Sequence, residues 1–323
     1  MKTTLKQKVD SLDRVQMKKK ARKVQAVLMW MLKAVILVGI SYIILGPVIS
    51  MVSSAFFTSN DLYNPVVVLF PVEGTLENFR GAFQTLVYPR TLLTTVLYVA
   101  SLTLIQVIVC SMAGYGFARF EFPLKKLLFG CVILTIVLPT DTLMLPWYTE
   151  FRNFDIFGIL RLVTGGGVNL LSTPIPMYIM SLFACGLRSG LYIYIFNQFF
   201  RGLPKEIEEA AFMDGAGSFY TYFRIMLMNA MPSVLTVSIF SMVWQYNDTF
   251  YAQLFAINNR LLMSRRIGTL QATIAQAYEI RDTGVTQLYL YAGILMMIIP
   301  VVIVYCLLQK RFVEGVERSG IVG

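Results

Sequence analysis

The commonest sequence signatures of catalysis are absent from this chain. The sequence contains no histidine, which removes the commonest general base and metal ligand at neutral pH. No Gly-x-x-x-x-Gly-Lys-Ser/Thr phosphate loop occurs, and the run Gly165–Gly167 is not followed by a lysine. The four cysteines lie in apolar stretches without metal-like spacing: Cys110, Cys131, Cys185 and Cys306. We therefore expect no catalytic residue, no metal site and no cofactor bound by this chain itself.

Two charged residues, Asp141 and Arg188, interrupt long apolar runs. A charged side chain inside a bilayer is costly, so it normally faces a partner or a water-filled cavity. We expect Arg188 to pair with an acid on a neighbouring helix, and Asp141 is one candidate. Such a pair would either line a pathway through the membrane or lock two helices together.

The segment Trp244–Phe250, with the sequence WQYNDTF, combines aromatic and polar side chains. Aromatic rings suit the C–H surface of a sugar, and amides and carboxylates suit its hydroxyl groups. Alternatively, the aromatic residues mark a membrane–water interface, where Trp and Tyr are enriched. The second interpretation leaves the Asn–Asp pair unexplained. The candidates for a substrate pathway are therefore Asp141, Arg188, Trp244, Tyr246, Asn247 and Asp248.

The composition predicts an all-α integral membrane protein. Hydrophobic residues make up 56% of the sequence and charged residues 14%, with a mean hydropathy of +0.64, whereas soluble domains are about 25% charged. The first apolar run is too long for the core of a secretory signal peptide. Six stretches have the length of a membrane-spanning helix: Ala26–Phe56, Leu92–Gly114, Leu127–Trp147, Pro174–Phe200, Ile225–Phe250 and Leu288–Leu308.

The distribution of basic residues predicts the orientation of these spans. A cytoplasmic N-terminus places most of the 28 Lys and Arg residues on the inner side of the cell membrane. We therefore expect a multi-pass protein of the cell (plasma or inner) membrane with both termini in the cytoplasm. Residues 1–25 form a basic tail, which can contact anionic lipid, and residues 26–323 form the membrane domain. The net charge of +10 then requires no nucleic-acid partner.

An acidic segment lies in the predicted cytoplasmic loop of residues 201–224. Pro204 suits the first position of a helix, and glutamates follow in the first turns, where they complement the helix dipole. Gly215 suits the left-handed residue that ends a helix, and Ser218 suits the cap of the next one. The segment is either an amphipathic loop on the membrane surface or a docking element for a cytoplasmic partner.

Three motifs carry a resemblance to a known family. The stretch Glu209-Ala210-Ala211, Asp214-Gly215-Ala216 and Ile225-x-Leu227 resembles the EAA loop of membrane subunits in ABC importers. The stretch Ala113–Phe129 and the C-terminal tail of residues 309–323, which carries Gln309, Phe312 and Gly315, resemble the carbohydrate branch of that family. The motifs occur in the family order from the second span to the C-terminus. The chain departs from the family at Met228, where proline is usual, and at Arg311, where an aromatic residue is common.

The resemblance implies a type I ABC importer permease fold and a set of partners. It implies a sugar or oligosaccharide delivered by an extracytoplasmic binding protein, a second homologous permease subunit, and two ATPase subunits that bind ATP and Mg. In the family, the EAA loop docks on the ATPase subunit and moves the attached spans, which here are the fourth and fifth. The docking residues are then Glu209, Ala210, Ala211, Asp214, Gly215 and Ala216.

Three other functions compete with this interpretation. A stand-alone secondary transporter or channel would fit the spans but leaves the EAA-like loop without a purpose. A permease subunit for a non-sugar solute fits the loop but not the carbohydrate-like tail. A membrane enzyme is disfavoured because the sequence lacks histidine and an obvious reactive cluster.

Overall fold

The structure, a computed structural model, describes residues 2–156, 158–258 and 260–320, with side chains for all of these except 2–22, 24, 160, 163, 164 and 308–320. The described residues form helices, together with an isolated antiparallel bridge between Phe154 and Val168. This arrangement confirms the predicted all-α class.

The chain divides into two units, Met1–Leu76 and Glu77–Gly323. The first unit contains α1 (Lys2–Ser54) and α2 (Ser59–Tyr63). The second unit begins with α3 (Glu77–Leu86), α4 (Tyr88–Arg119), α5 (Lys125–Val137), a 3-10 helix (Thr140–Leu143), α6 (Met144–Arg152), α7 (Ile159–Thr164), α8 (Ile175–Leu182) and α9 (Ser189–Gly202). It continues with α10 (Glu206–Met213), α11 (Ser218–Tyr220), a π-helix (Thr221–Met226), α12 (Leu227–Asn229), α13 (Met231–Tyr246), α14 (Phe250–Leu254), α15 (Met263–Ala277) and α16 (Thr283–Gly320).

Within the first unit, a carboxylate orders the loop that follows α1. Asp61 and Thr58 form a capping box at the start of α2. The Asp61 carboxylate also accepts hydrogen bonds from the amides of Val72 and Glu73, at 3.0 and 3.3 Å. Desolvation alone would raise the pKa of Asp61, but these amide hydrogen bonds outweigh it and the pKa lies below its ordinary value.

Three described helical segments are long and apolar enough to cross a membrane, namely Gln25–Ser54, Tyr88–Arg119 and Thr283–Leu307. They correspond to the first, second and sixth predicted spans. Two bent helix pairs raise the number to five when each pair counts as one span. The pair Lys125–Val137 and Thr140–Arg152 bends by 107°, and the pair Ser218–Asn229 and Met231–Tyr246 bends by 78°. These pairs correspond to the third and fifth predicted spans.

Prolines account for both bends. Leu138 precedes Pro139 and is extended, with ψ of 127°, because the proline ring disfavours helical backbone in the residue before it. Pro232 occupies the first turn of α13, where its missing N–H leaves no unsatisfied bond. Pro300 lies inside α16, which continues through it. From the sequence, bends are expected at Pro139 and Pro146 in the third span and at Pro300 in the sixth, and the structure has one at Pro139.

The fourth predicted span, Pro174–Phe200, is not one continuous helix. It consists of α8 and α9, with residues 183–188 between them in non-helical conformation. Ala184 and Arg188 have left-handed backbone, with φ of 56° and 60°. The amide of Cys185 donates to the carbonyl of Met180 at 2.8 Å, as in a helix-ending turn. The apolar pattern of the sequence contains no signal for this break.

The core of the second unit lies between α4 and α9. Tyr192, Phe196 and Phe200 on α9 are fully buried. The two helices approach closely at Gly114, where an added Cβ would lie 2.6 Å from the Cβ of Phe196. Small residues allow this kind of approach between membrane helices. The long helix α4 is thus the scaffold against which the following elements are placed.

Candidate functional site

The acidic segment forms a short helix, α10, as the sequence predicts, but the helix begins two residues later than expected. Lys205 occupies the N-cap position, so that Pro204 precedes the helix instead of starting it. Three glutamates occupy the first turn. Their negative charge complements the partial positive charge of the helix N-terminus.

The end of α10 confirms the expected role of Gly215. This residue has φ of +81°, a conformation that glycine adopts without steric cost. The amide of Gly215 donates to the carbonyl of Phe212, and the amide of Ala216 donates to that of Ala211, both at 3.0 Å. These two bonds define a Schellman motif. Ser218 is the first residue of α11 and does not cap it, because Gly217 occupies the N-cap position.

The inner face of α10 is anchored to the end of α4. The Glu208 carboxylate forms an ion pair with Arg119, whose Nε lies 2.8 Å from Oε2. The hydroxyl of Tyr115 donates a hydrogen bond to Oε1 of the same carboxylate. Nη2 of Arg119 also donates to the carbonyl oxygen of Leu203 at 2.8 Å. Arg119 therefore holds both α10 and the turn that precedes it.

The outer face of α10 is exposed, and it includes most of the predicted docking residues. Glu209, Ala210, Asp214 and Gly215 are exposed, whereas Ala216 is half-buried. Ala211 is buried and packs on the inner side of the helix. Most of the predicted docking residues can therefore be reached by a partner, whereas Ala211 helps to hold the helix in place.

Sequence analysis did not single out several large apolar side chains of α10 and α11 that are exposed close to the docking residues in the chain. They share high exposure although each is large and hydrophobic: Phe212 at 46%, Met213 at 87%, Phe219 at 74% and Tyr220 at 60%. We call these four residues, with Glu209 and Ala210, the outer patch. In the sequence, these apolar residues lie between the acids and glycines, and their spacing does not match that of a buried helix face. That mismatch was the available indication that they would be exposed.

The π-helix that follows α11 connects this region to the core. Tyr222 is buried, and its hydroxyl lies 2.6 Å from the Oγ of Ser111 on α4. Its ring packs against Tyr115, with the centroids 5.1 Å apart. Segments with π-helical geometry often occur at functional positions. The helix α10 and the π-helix that follows it are therefore both tied to α4, the first by an ion pair and the second through a hydrogen bond and aromatic packing.

Arg188 does not form the predicted pair with Asp141. Among the described residues its guanidinium carbon lies over the ring of Trp244, 4.5 Å from the centroid, and it takes part in no ion pair. Asp141 lies in the 3-10 helix after the bend at Pro139 and is exposed. The left-handed backbone of Arg188, at the start of α9, lets its side chain stack on the aromatic face.

The other predicted pathway residues make hydrogen bonds within the protein. The buried Tyr246 donates through its hydroxyl to the carbonyl of Met297 at 2.9 Å. The Asp248 carboxylate accepts from the amides of Tyr251 and Ala252, at 3.2 and 3.1 Å, and so satisfies two amides in the first turn of α14 as a capping side chain would. The amide of Asn247 donates to the carbonyl of Val243 at 2.9 Å. The structure brings Arg188 and Trp244 together and gives Tyr246 and Asp248 bonds that stabilise the local fold.

Two further expectations concern the tail and metal binding. The backbone of Gln309, Phe312 and Gly315 belongs to α16, and their side chains lie outside the described residues. Among the described residues, no group of three or more His, Cys, Asp or Glu side chains is placed to hold a metal ion.

Comparison with known proteins places the chain in a family. The family model described as "Binding-protein-dependent transport system inner membrane component" matches residues 106–317, which is more than half of the chain. The diacetylchitobiose uptake system permease protein of Streptomyces coelicolor is 25% identical over 280 residues, covering 86% of this chain and 84% of that protein. The trehalose transport system permease protein of Mycobacterium tuberculosis is 27% identical over 261 residues, covering 79% and 85%.

A solved structure shows the same fold. The crystal structure of a bacterial ABC transporter involved in the import of the acidic polysaccharide alginate contains a chain that matches with a TM-score of 0.63 and 22% identity. The match covers 88% of this chain and 96% of that chain. The apolar spans, the helix anchored on α4 and the match to the family model agree, and the chain belongs to the family of binding-protein-dependent transport system inner membrane components.

Proposed function

We propose that this chain is the membrane-spanning permease subunit of an ATP-driven importer that moves a sugar or oligosaccharide into the cell. Membership of the family supports a transport role. Two relatives named for the uptake of diacetylchitobiose and trehalose support a saccharide as substrate. The chain is not an enzyme: separate ATPase subunits bind ATP and Mg and hydrolyse the nucleotide, and this chain holds no cofactor.

The two faces of α10 are the observation that carries the proposal. The inner face is joined to α4 through Glu208 and Arg119. The outer patch leaves large apolar side chains exposed beside Glu209. A helix that is fixed on one side and presents an apolar, partly acidic surface on the other is suited to dock in a groove of a partner protein. That partner is the ATPase subunit.

The topology follows from the same proposal. Six spans cross the cell membrane, with α8 and α9 together forming the fourth, and both termini lie in the cytoplasm. Residues 1–25 form the basic tail and residues 26–323 form the permease domain, including the coupling loop at about residues 201–224. The C-terminal tail, residues 309–323, also lies on the cytoplasmic side.

The mechanism uses the contacts of α10. Closure of the ATPase subunits moves α10, and the buried ion pair passes this movement to α4, against which α9 packs. A second, homologous permease subunit completes the conduit, and a binding protein delivers the saccharide from outside. Within the conduit, Arg188 and Trp244 are the pathway residues of this chain that contact the saccharide, while Asp141, Tyr246, Asn247 and Asp248 shape the walls around them.

Reconstitution tests the proposal. The chain is expressed with its ATPase, second permease and binding protein, and uptake of labelled N,N′-diacetylchitobiose, trehalose and glutamate into liposomes is measured. We expect ATP-dependent uptake of a saccharide and none of glutamate. A Met213→Cys variant should cross-link to the ATPase subunit. The control is Leu162→Cys in α7, at a position that is also highly exposed (88%), and it should not cross-link. Uptake without ATP, or no cross-link in any nucleotide state, would contradict the proposal.

A further inference from the structure

The break between α8 and α9 contains backbone that needs support from its surroundings. Ala184 and Arg188 both have positive φ, a region that residues with a Cβ seldom occupy. Such conformations persist only where neighbouring contacts hold them, and they occur often at functional sites. Among the described residues of α4, one side chain donates a hydrogen bond to the backbone of this break.

That side chain is Gln106, which is fully buried. Its Nε2 donates to the carbonyl of Leu187 at 2.9 Å and to the Oγ of Ser189 at 3.1 Å. Its Oε1 accepts from the Oγ of Ser241 at 2.6 Å and from Nε2 of Gln245 at 3.2 Å. A side-chain amide has two donor hydrogens and two acceptor lone pairs, so every hydrogen-bonding position of Gln106 is used. In an apolar interior, a side-chain amide with all of its bonds made favours a single arrangement of its partners.

The partners of Gln106 flank the cation–π pair on both sides. Leu187 and Ser189 are the neighbours of Arg188 along the chain, and the bonded glutamine on α13 directly follows Trp244. Gln106 thereby fixes the two chain segments whose side chains stack 4.5 Å apart. Deleting these bonds would free the turn that carries Arg188 without removing any atom of the pair.

Gly186 fits the same arrangement. An added Cβ at this position would lie 2.8 Å from Nε2 of Gln106 and 2.8 Å from the Oγ of Ser181. The glycine therefore lets the turn approach α4 closely enough for the glutamine to reach its backbone.

The turn borders a cavity of about 170 Å³. Trp147 and Tyr251 contribute aromatic walls, and Thr135 and Thr140 contribute hydroxyl groups. Among the described lining residues, Arg188 is the charged one. Aromatic walls with a few placed polar groups are typical of small-molecule sites, and a guanidinium offers five N–H donors for hydroxyl oxygens.

We propose that Gln106 is a positioning residue for saccharide recognition: it keeps Arg188 stacked on Trp244, and so holds the Arg188 guanidinium at the wall of this cavity, where it contacts a sugar ring. The inference rests on the proposed function and extends it by assigning the support of the contact. Gln106 itself touches only protein groups, so its removal should weaken saccharide binding through the pair.

Equilibrium binding to the membrane complex tests this role. The complex of both permease subunits and the ATPase subunits is held in nanodiscs with a non-hydrolysable ATP analogue and without binding protein. The dissociation constant for tritiated N,N′-diacetylchitobiose or trehalose, whichever the wild type imports, is measured for each variant. We expect an increase of about tenfold for Gln106→Leu and of about threefold for Ser189→Ala, which removes one of the four hydrogen bonds of Gln106.

Ser101→Ala is the matched control. It removes a bond of 2.7 Å between Ser101 on α4 and the hydroxyl of Tyr178 on α8, away from the break, and it should leave the dissociation constant unchanged. Combining Gln106→Leu with Arg188→Ala should weaken binding no more than Arg188→Ala does, because the two changes act on one contact. If Gln106→Leu fails to assemble, the comparison of Ser189→Ala with Ser101→Ala decides.

Different outcomes would contradict the positioning role of Gln106 and the proposed transport function. The positioning role would be overturned by any of three results. These are equal effects of Ser189→Ala and Ser101→Ala, additive effects in the double variant, and no saccharide binding by the wild-type complex. A wild-type complex that fails to import any saccharide with ATP would overturn the proposed function and the inference with it.

Discussion

Arg119 and Glu208 form a buried ion pair that joins the end of α4 to the short helix α10. Nε and Oε2 lie 2.8 Å apart, and the two side chains are only 7% and 11% exposed. Pairs shielded from water in this way are screened little by salt. The contact makes α4 a second path, beside the chain connections of α10, by which movement can enter the membrane domain.

Removing one partner of this pair should uncouple ATP hydrolysis from transport. An unpaired buried charge costs about 3–5 kcal/mol, so Arg119→Ala should loosen the attachment of α10 to α4, which then depends on the bond from Tyr115. We expect saccharide-stimulated ATP hydrolysis by the reconstituted complex to fall by at least roughly tenfold. Arg201→Ala, at an exposed position at the end of α9, is the control and should keep its activity.

The exchange Arg119→Glu with Glu208→Arg tests the same pair from the other direction. If the ion pair itself transmits the movement, the double variant should recover part of the activity that either single change removes. Full activity in Arg119→Ala, with normal assembly, would exclude the pair from the coupling path.

Any side chain at Gly215, the residue with positive φ that ends α10, should impair stimulated ATP hydrolysis. With φ of +81°, a Cβ at this position costs about 1–2 kcal/mol even though nothing lies within 4 Å of it. Gly215→Ala should therefore lower stimulated ATP hydrolysis, and Gly215→Pro should abolish it, because proline cannot adopt positive φ. Gly217 has φ of −75° and equally open space. Gly217→Ala should behave as the wild type, and equal losses in the two alanine variants would refute the conformational explanation.

The outer patch should contribute to the affinity for the ATPase subunit. Met213 is 87% exposed, so Met213→Ala removes little packing within the permease. If the side chain is buried by the partner, its loss should weaken binding roughly fivefold, as is common for interface residues that contribute more than about 1 kcal/mol. Binding of the purified ATPase subunit to the permease in nanodiscs measures the effect. Leu162→Ala is the control, and an unchanged affinity in Met213→Ala would remove this residue from the interface.

Substitution of Asp248 should affect assembly more than saccharide recognition. Its carboxylate satisfies two amides in the first turn of α14, and losing a capping interaction of this kind costs about 0.5–2 kcal/mol. We expect Asp248→Ala to lower the thermal stability of the complex, whereas Asp248→Asn, which keeps an acceptor oxygen, should lower it less. Saccharide binding by the assembled fraction should stay close to wild type. Loss of binding at unchanged stability in Asp248→Ala would instead make this residue part of the saccharide contact.

Local patterns in the sequence predicted the features that depend on local physics. The bend at Pro139 follows from the missing N–H and the steric effect of the proline ring on Leu138. The end of α10 follows from the freedom of Gly215 to adopt positive φ. The break at residues 183–188 could not be predicted in this way, because its left-handed residues are an alanine and an arginine inside an apolar run.

The contacts of the charged residues could not be predicted from the sequence either. Arg188 was expected to meet Asp141, since both interrupt apolar runs, but its guanidinium lies over Trp244. Glu208 and Glu209 are adjacent and chemically identical in the sequence. One is buried against Arg119 and the other is exposed, because a helix turns successive side chains to different sides.

The amino-acid sequence by itself determined that this is a helical membrane protein, that its third span bends at Pro139, and where its acidic segment ends. Composition and backbone preference act over a few residues, and they need no knowledge of the rest of the chain. Only the tertiary structure decided which side of α10 is anchored and how the turn before α9 is held. Those outcomes depend on Arg119 and Gln106, which lie far away in the sequence and reach their partners only when α4 packs against α9.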